Sequence, residues 1–205
     1  MTALLLPAET AITSQGAVPV LRAGSADAAY EMCAKLIGAG LSVIELTATT
    51  PGWAELLPSV NADFPDAVIG MGTITTAYAA TVACEAGASF LVSPYPADEA
   101  RAEAVKRGVL FVGGGATPAE IAASSAHGVC KLFPAHLGGV QYLKTLKAIL
   151  PAAKIMPTGG IALTDVSTWI AAGAVAVGVG SELVKAPDLA EAAAALRQQV
   201  AAGRA

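Results

Sequence analysis

Eight short apolar runs, at 18–21, 43–46, 68–71, 90–92, 109–112, 129–133, 154–156 and 175–179, recur along this chain at near-regular intervals. Each is too short for a helix and most are rich in β-branched residues, so each predicts a strand. Between them lie Ala-rich segments with apolar residues at helical spacing, at 27–38, 53–64, 76–86, 97–107, 118–124, 140–150 and 164–172, with a last helix at 188–202. Gly or Pro closes most of them, and Thr117 followed by Pro118 is a ready-made helix start. Strands alternating with helices require right-handed crossovers and a parallel sheet buried on both faces.

Eight such units in 205 residues predict an α/β protein, a (β/α)8 TIM barrel forming a single domain over 1–205, with a short amphipathic helix before the first strand. A doubly wound open sheet fits less well. It would have fewer strands at this length, and Arg22-Ala23-Gly24-Ser25 after the first strand is not a Gly-rich phosphate loop. Composition narrows the class further. With 55% hydrophobic residues the chain can bury enough surface to offset its ordering entropy, which excludes disorder. No stretch of ~18 uninterrupted apolar residues predicts a membrane span. Twelve Lys and Arg against sixteen Asp and Glu argue against a nucleic-acid partner. Cys33, Cys84 and Cys130 are odd in number, form no CxxC and sit in apolar stretches, so they read as small hydrophobes. The apolar patch at the N-terminus has no positive region before it and reads as helix rather than signal peptide, which implies a cytoplasmic protein.

In a barrel, chemistry gathers at the C-terminal ends of the strands. There the chain places Arg22, Glu45, Thr73, Ser93-Pro94, Gly113-Gly114-Gly115, Lys131 to Pro134, Thr158-Gly159-Gly160 and Gly178 to Ser181. Lys131 is the one charge in the apolar run Val129-Cys130-Lys131-Leu132-Phe133, and alternation sets it on one face with Val129 and Phe133. A charged lysine is costly to desolvate there, which favours a neutral amine able to form an imine with a ketone or aldehyde. The alternatives are a lysine reaching solvent or pairing with a phosphate. Glu45 is likewise a single charge in Val43-Ile44-Glu45-Leu46-Thr47, suited to proton transfer beside an amine or to an ion pair with a neighbour such as Arg22. The glycine turns Thr158-Gly159-Gly160 and Gly178-Val179-Gly180-Ser181 follow the seventh and eighth strands, where barrels often hold phosphate through backbone N–H groups. Gly113-Gly114-Gly115 either clears space beside a substrate or makes a flexible turn. His127 reads as structural and His136 as a solvated residue of the rim. No His, Asp and Glu cluster has metal spacing, so neither metal nor cofactor is expected.

The residues Pro19-Val20-Leu21-Arg22, Ile44-Glu45-Leu46-Thr47, Gly70-Met71-Gly72-Thr73, Val92-Ser93-Pro94, Gly115-Ala116-Thr117-Pro118-Ala119-Glu120, Lys131-Leu132-Phe133-Pro134-Ala135 and Pro157-Thr158-Gly159-Gly160-Ile161 stand in the order found in one enzyme family. The chain resembles the 2-keto-3-deoxy-6-phosphogluconate / 2-keto-3-deoxy-6-phosphogalactonate aldolases over nearly its whole length. The resemblance implies a metal-independent, imine-forming (class I) aldolase and a homotrimer. By position, Lys131 resembles the imine-forming lysine and Glu45 the acid/base carboxylate. Arg22, Thr73, Pro94, Phe133 and Thr158 resemble residues around the pyruvate part of a phosphorylated keto-deoxy sugar acid. Gly159, Gly160, Gly180 and Ser181 resemble its phosphate loop. The chain departs from the gluconate branch at Thr49, where that branch often has Arg, and Thr49-Thr50-Pro51-Gly52-Trp53 leans toward the galactonate type, while Pro157-Thr158-Gly159-Gly160 leans toward the gluconate type, so the resemblance leaves the epimer open. Competing functions are another sugar-phosphate enzyme (an epimerase, isomerase or synthase), an aldolase acting mainly on 4-hydroxy-2-oxoglutarate, and a non-catalytic binder of a phosphorylated metabolite.

Overall fold

The structure is a computed structural model that describes residues 6–205. Residues 1–5, which hold most of the apolar patch that begins the chain, lie outside the described residues. Helix α1 (Leu6–Gln15) precedes β1 (Ala17–Leu21), α2 (Ala26–Gly38), β2 (Val43–Thr47), α3 (Trp53–Asp63), β3 (Val68–Gly72), α4 (Ala77–Glu85), β4 (Phe90–Val92) and α5 (Asp98–Lys106). The chain continues through β5 (Leu110–Val112), β6 (Gly114–Gly115), α6 (Pro118–Ser125), β7 (Cys130–Leu132), α7 (Gly139–Ile149) and β8 (Ile155–Pro157). It ends with α8 (Val166–Ala171), β9 (Val177–Val179), α9 (Ser181–Val184) and α10 (Leu189–Arg204). Single 3-10 turns, Ala135–Leu137 and Leu163–Asp165, stand before α7 and α8.

Every strand pair is parallel, as the alternating pattern requires. The order β5-β4-β3-β2-β1-β9 forms a six-stranded sheet, and β6-β7-β8 a three-stranded one. Chain continuity through Gly113 joins them at one side, and a single parallel bridge from Thr158 to Gly178 joins them at the other. The architecture is an α/β fold with a curled parallel sheet. Each of the eight apolar runs overlaps a strand. The additional strand, β6, is made wholly of glycine and carries no apolar signal.

Successive residues serve two cores, because side chains alternate across a strand. Val18, Val43, Phe90, Val112, Val129 and Met156 share one cluster with Ala8 and Ile12 of α1. Ile44, Leu46, Ile69, Met71, Cys130, Leu132 and Val179 belong to the other, which includes the buried residues of α2 to α10. Cys33 and Cys130 are fully buried in that second cluster, and burial pushes both thiols up to about 12, so they stay protonated and act as small hydrophobes. Ala8 and Ile12, one turn apart, bring α1 against the first cluster. Gln15 pins the helix to the strands by donating from Nε2 to Ala17 O (2.6 Å) and Val43 O (2.8 Å) and accepting at Oε1 from Val43 N (2.9 Å). Lys154, just before β8, pairs with Glu9 of the same helix. With α1 attached at the N-terminal ends of the strands, the C-terminal ends are left to form a site. Among the described residues no helix is long and apolar enough to cross a membrane.

Helix α6 begins as its sequence predicts. Thr117 accepts from Glu120 N (3.3 Å), and the Glu120 carboxylate accepts from Ala116 N (3.0 Å) and Thr117 N (2.9 Å), a reciprocal capping box. These backbone N–H groups hold the Glu120 carboxyl below the usual carboxylate range. A carboxyl whose folded value is depressed stabilises above its unfolded value, and that stabilisation is lost as pH falls through the folded one. Glu120→Gln is therefore expected to lower Tm at neutral pH and to approach the wild type in acid, as the carboxylate is protonated. Thr117→Ala should cost about 1 kcal/mol. Thermal melts at neutral and acid pH check both.

Candidate active site

A cavity of about 800 Å³ opens at the C-terminal ends of the strands. Arg22, Glu45, Thr73, Pro94, Lys131, Phe133, Thr158, Gly159, Gly160, Gly180 and Ser181, the eleven positions the resemblance gave, all border it, whereas Ser93 and Gly113-Gly114-Gly115, also candidates by their place at strand ends, do not. Glu45 lies within β2 and Lys131 within β7, while the others sit at or just past the ends of their strands. Arg22 is exposed at the rim, and Glu45, Lys131 and Thr158 are buried in the wall.

The ion pair at the base joins residues 86 positions apart. Lys131 Nζ lies 3.6 Å from Glu45 Oε1, with only 7% and 1% of the two side chains exposed. The sequence left open whether Glu45 faces Arg22 or an amine. In the structure its partner is Lys131. Nζ also stands 5.3 Å from the centre of the Phe133 ring, a distance at which a cation is attracted to the ring face. Two buried polar atoms in the same wall have no hydrogen-bond partner among the described residues, Glu45 Oε2 and Thr158 Oγ1. Leaving a buried polar atom unpaired costs about 1–3 kcal/mol, so both are suited to engage a polar molecule entering the cavity. Thr73, which follows β3, has φ +63°, the one positive value outside glycine among the described residues. Such a backbone costs on the order of 1–3 kcal/mol and is characteristic of functional sites.

The turn after β8 packs on the segment after β7. Ala135 N donates to Thr158 O (2.9 Å) and His136 N to Gly159 O (3.2 Å). Gly159 and Gly160 have φ +95° and +68°, which glycine adopts at little cost, and a Cβ at Gly160 would stand 2.7 Å from the His136 side chain. His136 is exposed, with Nδ1 3.3 Å from Gly159 O, and so braces the turn rather than reaching the lysine. Gly180 immediately precedes α9, and Ser181 is the first residue of that helix.

Several cavity residues were not among the site candidates of the sequence. Thr47 is buried beside the site, its Oγ1 3.0 Å from Thr49 Oγ1, and it lies two residues beyond Glu45 on the same face of β2, so alternation was the signal for it. Asp165, Glu182 and Lys185 border the outer part, where the polar sequence reads simply as solvated surface. Glu182 is engaged in accepting from Leu163 N (2.8 Å). Among the described residues no group of three His, Cys, Asp or Glu side chains is placed to hold a metal ion.

A buried amine and carboxylate facing one another at the C-terminal end of a curled parallel sheet suit covalent chemistry of a lysine on a carbonyl compound. The comparisons place it more closely. The family model for the KDPG and KHG aldolases matches residues 8–197, and the chain belongs to that family. It is 31% identical to the 2-dehydro-3-deoxy-6-phosphogalactonate aldolase of Escherichia coli (strain K12), over 90% of this chain and 91% of that one. The 2-keto-3-deoxy-6-phosphogluconate aldolase of Zymomonas mobilis ZM4, solved with 3-phosphoglycerate, superposes with a TM-score of 0.83 at 28% identity over 95% of each chain. The KDPG aldolase of Legionella pneumophila, solved with pyruvate captured as a covalent carbinolamine, gives 0.81 at 26% identity over 94% of this chain and 96% of that one.

Proposed function

We propose that this protein is a Schiff-base aldolase that reversibly cleaves 2-keto-3-deoxy-6-phosphogluconate or its galactonate epimer to pyruvate and glyceraldehyde 3-phosphate. The observation that carries the reading is the buried pair of Lys131 and Glu45, 3.6 Å apart in the wall of a cavity large enough for a phosphorylated six-carbon acid. Lys131 passes a proton to Glu45 and its neutral Nζ attacks the C2 ketone of the substrate. The carbinolamine takes a proton back and loses water, leaving a protonated imine. Glu45 then removes the proton of the C4 hydroxyl. The C3–C4 bond breaks, its electron pair moves into the imine to form an enamine, and the aldehyde departs. Protonation of the enamine at C3 and hydrolysis of the imine release pyruvate and restore the amine. The protonated imine is the electron sink for the breaking bond.

In this reading Arg22, Thr73, Pro94, Phe133 and Thr158 surround the pyruvate portion, with the Thr158 hydroxyl supplying a hydrogen bond that it lacks among the described residues. Gly159, Gly160, Gly180 and Ser181 receive the phosphate. Holding the far end of the substrate fixes C2 over Nζ, and such positioning contributes several kcal/mol to lowering a barrier. Three features support a closed eight-stranded barrel as a single domain. Lys131 N donates to Gly113 O (2.9 Å), Val175 N donates to Ile155 O (3.0 Å), and Thr158 bridges Gly178. A homotrimer of 20.3 kDa chains in the cytoplasm is the assembly that accompanies this reading, as the family resemblance implies.

The test is covalent and kinetic. Incubation with pyruvate and borohydride should add one reduced pyruvyl group at Lys131, located by peptide mass mapping. A coupled assay with lactate dehydrogenase should show pyruvate release from both epimers at rates that rank them. An enzyme that neither labels nor releases pyruvate is not an aldolase.

A further inference from the structure

We propose that Gly72 is a positioning residue for Glu45: the side chain missing at the end of β3 is the space in which the catalytic carboxylate sits. The inference rests on the proton-transfer role proposed for Glu45. Gly72 is opposite Thr47 in the β2–β3 register, two positions beyond Gly70, which is opposite Glu45. Its φ lies outside the left-handed region, so the backbone there accepts any L-residue and does not by itself call for glycine. The requirement is spatial. A Cβ at Gly72 would stand 1.9 Å from Glu45 Oε1, 2.6 Å from Cδ and 2.8 Å from Cγ. All three atoms belong to the carboxylate arm and none to the backbone.

An alanine at this position therefore meets the one side chain that faces Lys131. The arm is 1% exposed, and its free direction is toward the cavity. It can swing there while β3 keeps its ladder, so the fold loses little. What it loses is the 3.6 Å approach of Oε1 to Nζ, on which proton transfer depends. Gly70 makes the contrast, since a Cβ there would strike the Phe90 ring at 2.3 Å, in a packed apolar cluster, and meets no atom of Glu45 among its nearest neighbours. Glycine clears room for core packing at one position of β3 and for a reactive carboxylate at the next inward-facing one.

Gly72→Ala should lower kcat by roughly 10²-fold or more, the range expected for loss of a general base, with KM changed less than about threefold. Borohydride should still fix pyruvate on Lys131. In a Glu45→Ala background the same substitution should have no further effect on residual turnover, because its target is gone. If Gly72→Ala fails to fold, Gly72→Ala/Glu45→Ala should regain the melting temperature of Glu45→Ala. A wild-type kcat in Gly72→Ala, an added loss in the Glu45→Ala background, or a double variant that stays unfolded each overturns the inference. None of these outcomes touches the aldolase reading, which fails separately if the wild-type protein neither labels with pyruvate nor cleaves substrate.

Discussion

Lys131→Ala is expected to abolish covalent capture of pyruvate and to lower turnover by roughly 10⁵–10⁶-fold, the scale seen when a covalent nucleophile is deleted. No other amine can take its place. Lys185 also borders the cavity but is exposed at its outer part, and Arg22, at the rim, carries a guanidinium rather than an amine. Stability should fall as well. Removing Lys131 leaves the Glu45 carboxylate buried with both oxygens unpaired, and breaking a buried pair by deleting one partner costs about 3–5 kcal/mol. The pair borders a cavity that water can enter, which sets the expected loss toward about 3 kcal/mol, or roughly 6–12 °C in Tm for a chain of this size. Lys131→Met combined with Glu45→Gln removes both charges and should recover most of that loss while remaining inactive. Thermal melts and the pyruvate label read these outcomes separately. A Lys131→Ala protein that still takes the label would remove this lysine from the mechanism.

Glu45→Gln should act differently. The amide keeps the shape of the side chain but cannot accept a proton, so turnover is expected to drop by roughly 10²–10⁴-fold with KM little changed. The pyruvate label should persist, formed more slowly, because Nζ is still present. Pyruvate incubated in heavy water should exchange its C3 hydrogens far more slowly than with the wild type, since exchange requires a proton to leave and rejoin the enamine carbon. Full activity in Glu45→Gln would leave the carboxylate as an ion-pair partner and nothing more. The contrast between label retained here and label lost in Lys131→Ala separates bond formation from proton transfer.

The chain order of residues carried a good deal of this. Apolar runs and their spacing were enough to locate the strands, because a buried parallel strand must be apolar on both faces. Alternation within 129–133 already divided Val129 and Lys131 from Cys130 and Leu132, and the two cores divide Val129 from Cys130 and Leu132 in the same way. Single charges at Glu45 and Lys131 stood out because a charge in an apolar strand has to be accommodated somehow. The start of α6 was legible from Thr117 and Pro118, since capping is local chemistry, while the reciprocal bond from Glu120 came with the structure. The segment read as one helix over 164–172 is instead a 3-10 turn followed by α8, a distinction too fine for periodicity in so few residues.

Other features depend on distances that no local pattern encodes. That Glu45 meets Lys131 rather than Arg22 follows from the placement of β2 and β7, separated by more than eighty residues and brought to one cavity by the curl of the sheet. Strand β6 was invisible because three consecutive glycines have no side chains to pattern, and it is defined only by its pairing with β7. Gly72 reads in the chain as an ordinary glycine at a strand end. Its meaning comes from a carboxylate on the neighbouring strand that fills the volume where a Cβ would be. Burial and periodicity are properties of short segments and survive in a one-dimensional text. Pair geometry and vacant volume belong to segments far apart in the chain, and they come into being when the sheet curls and brings those segments together.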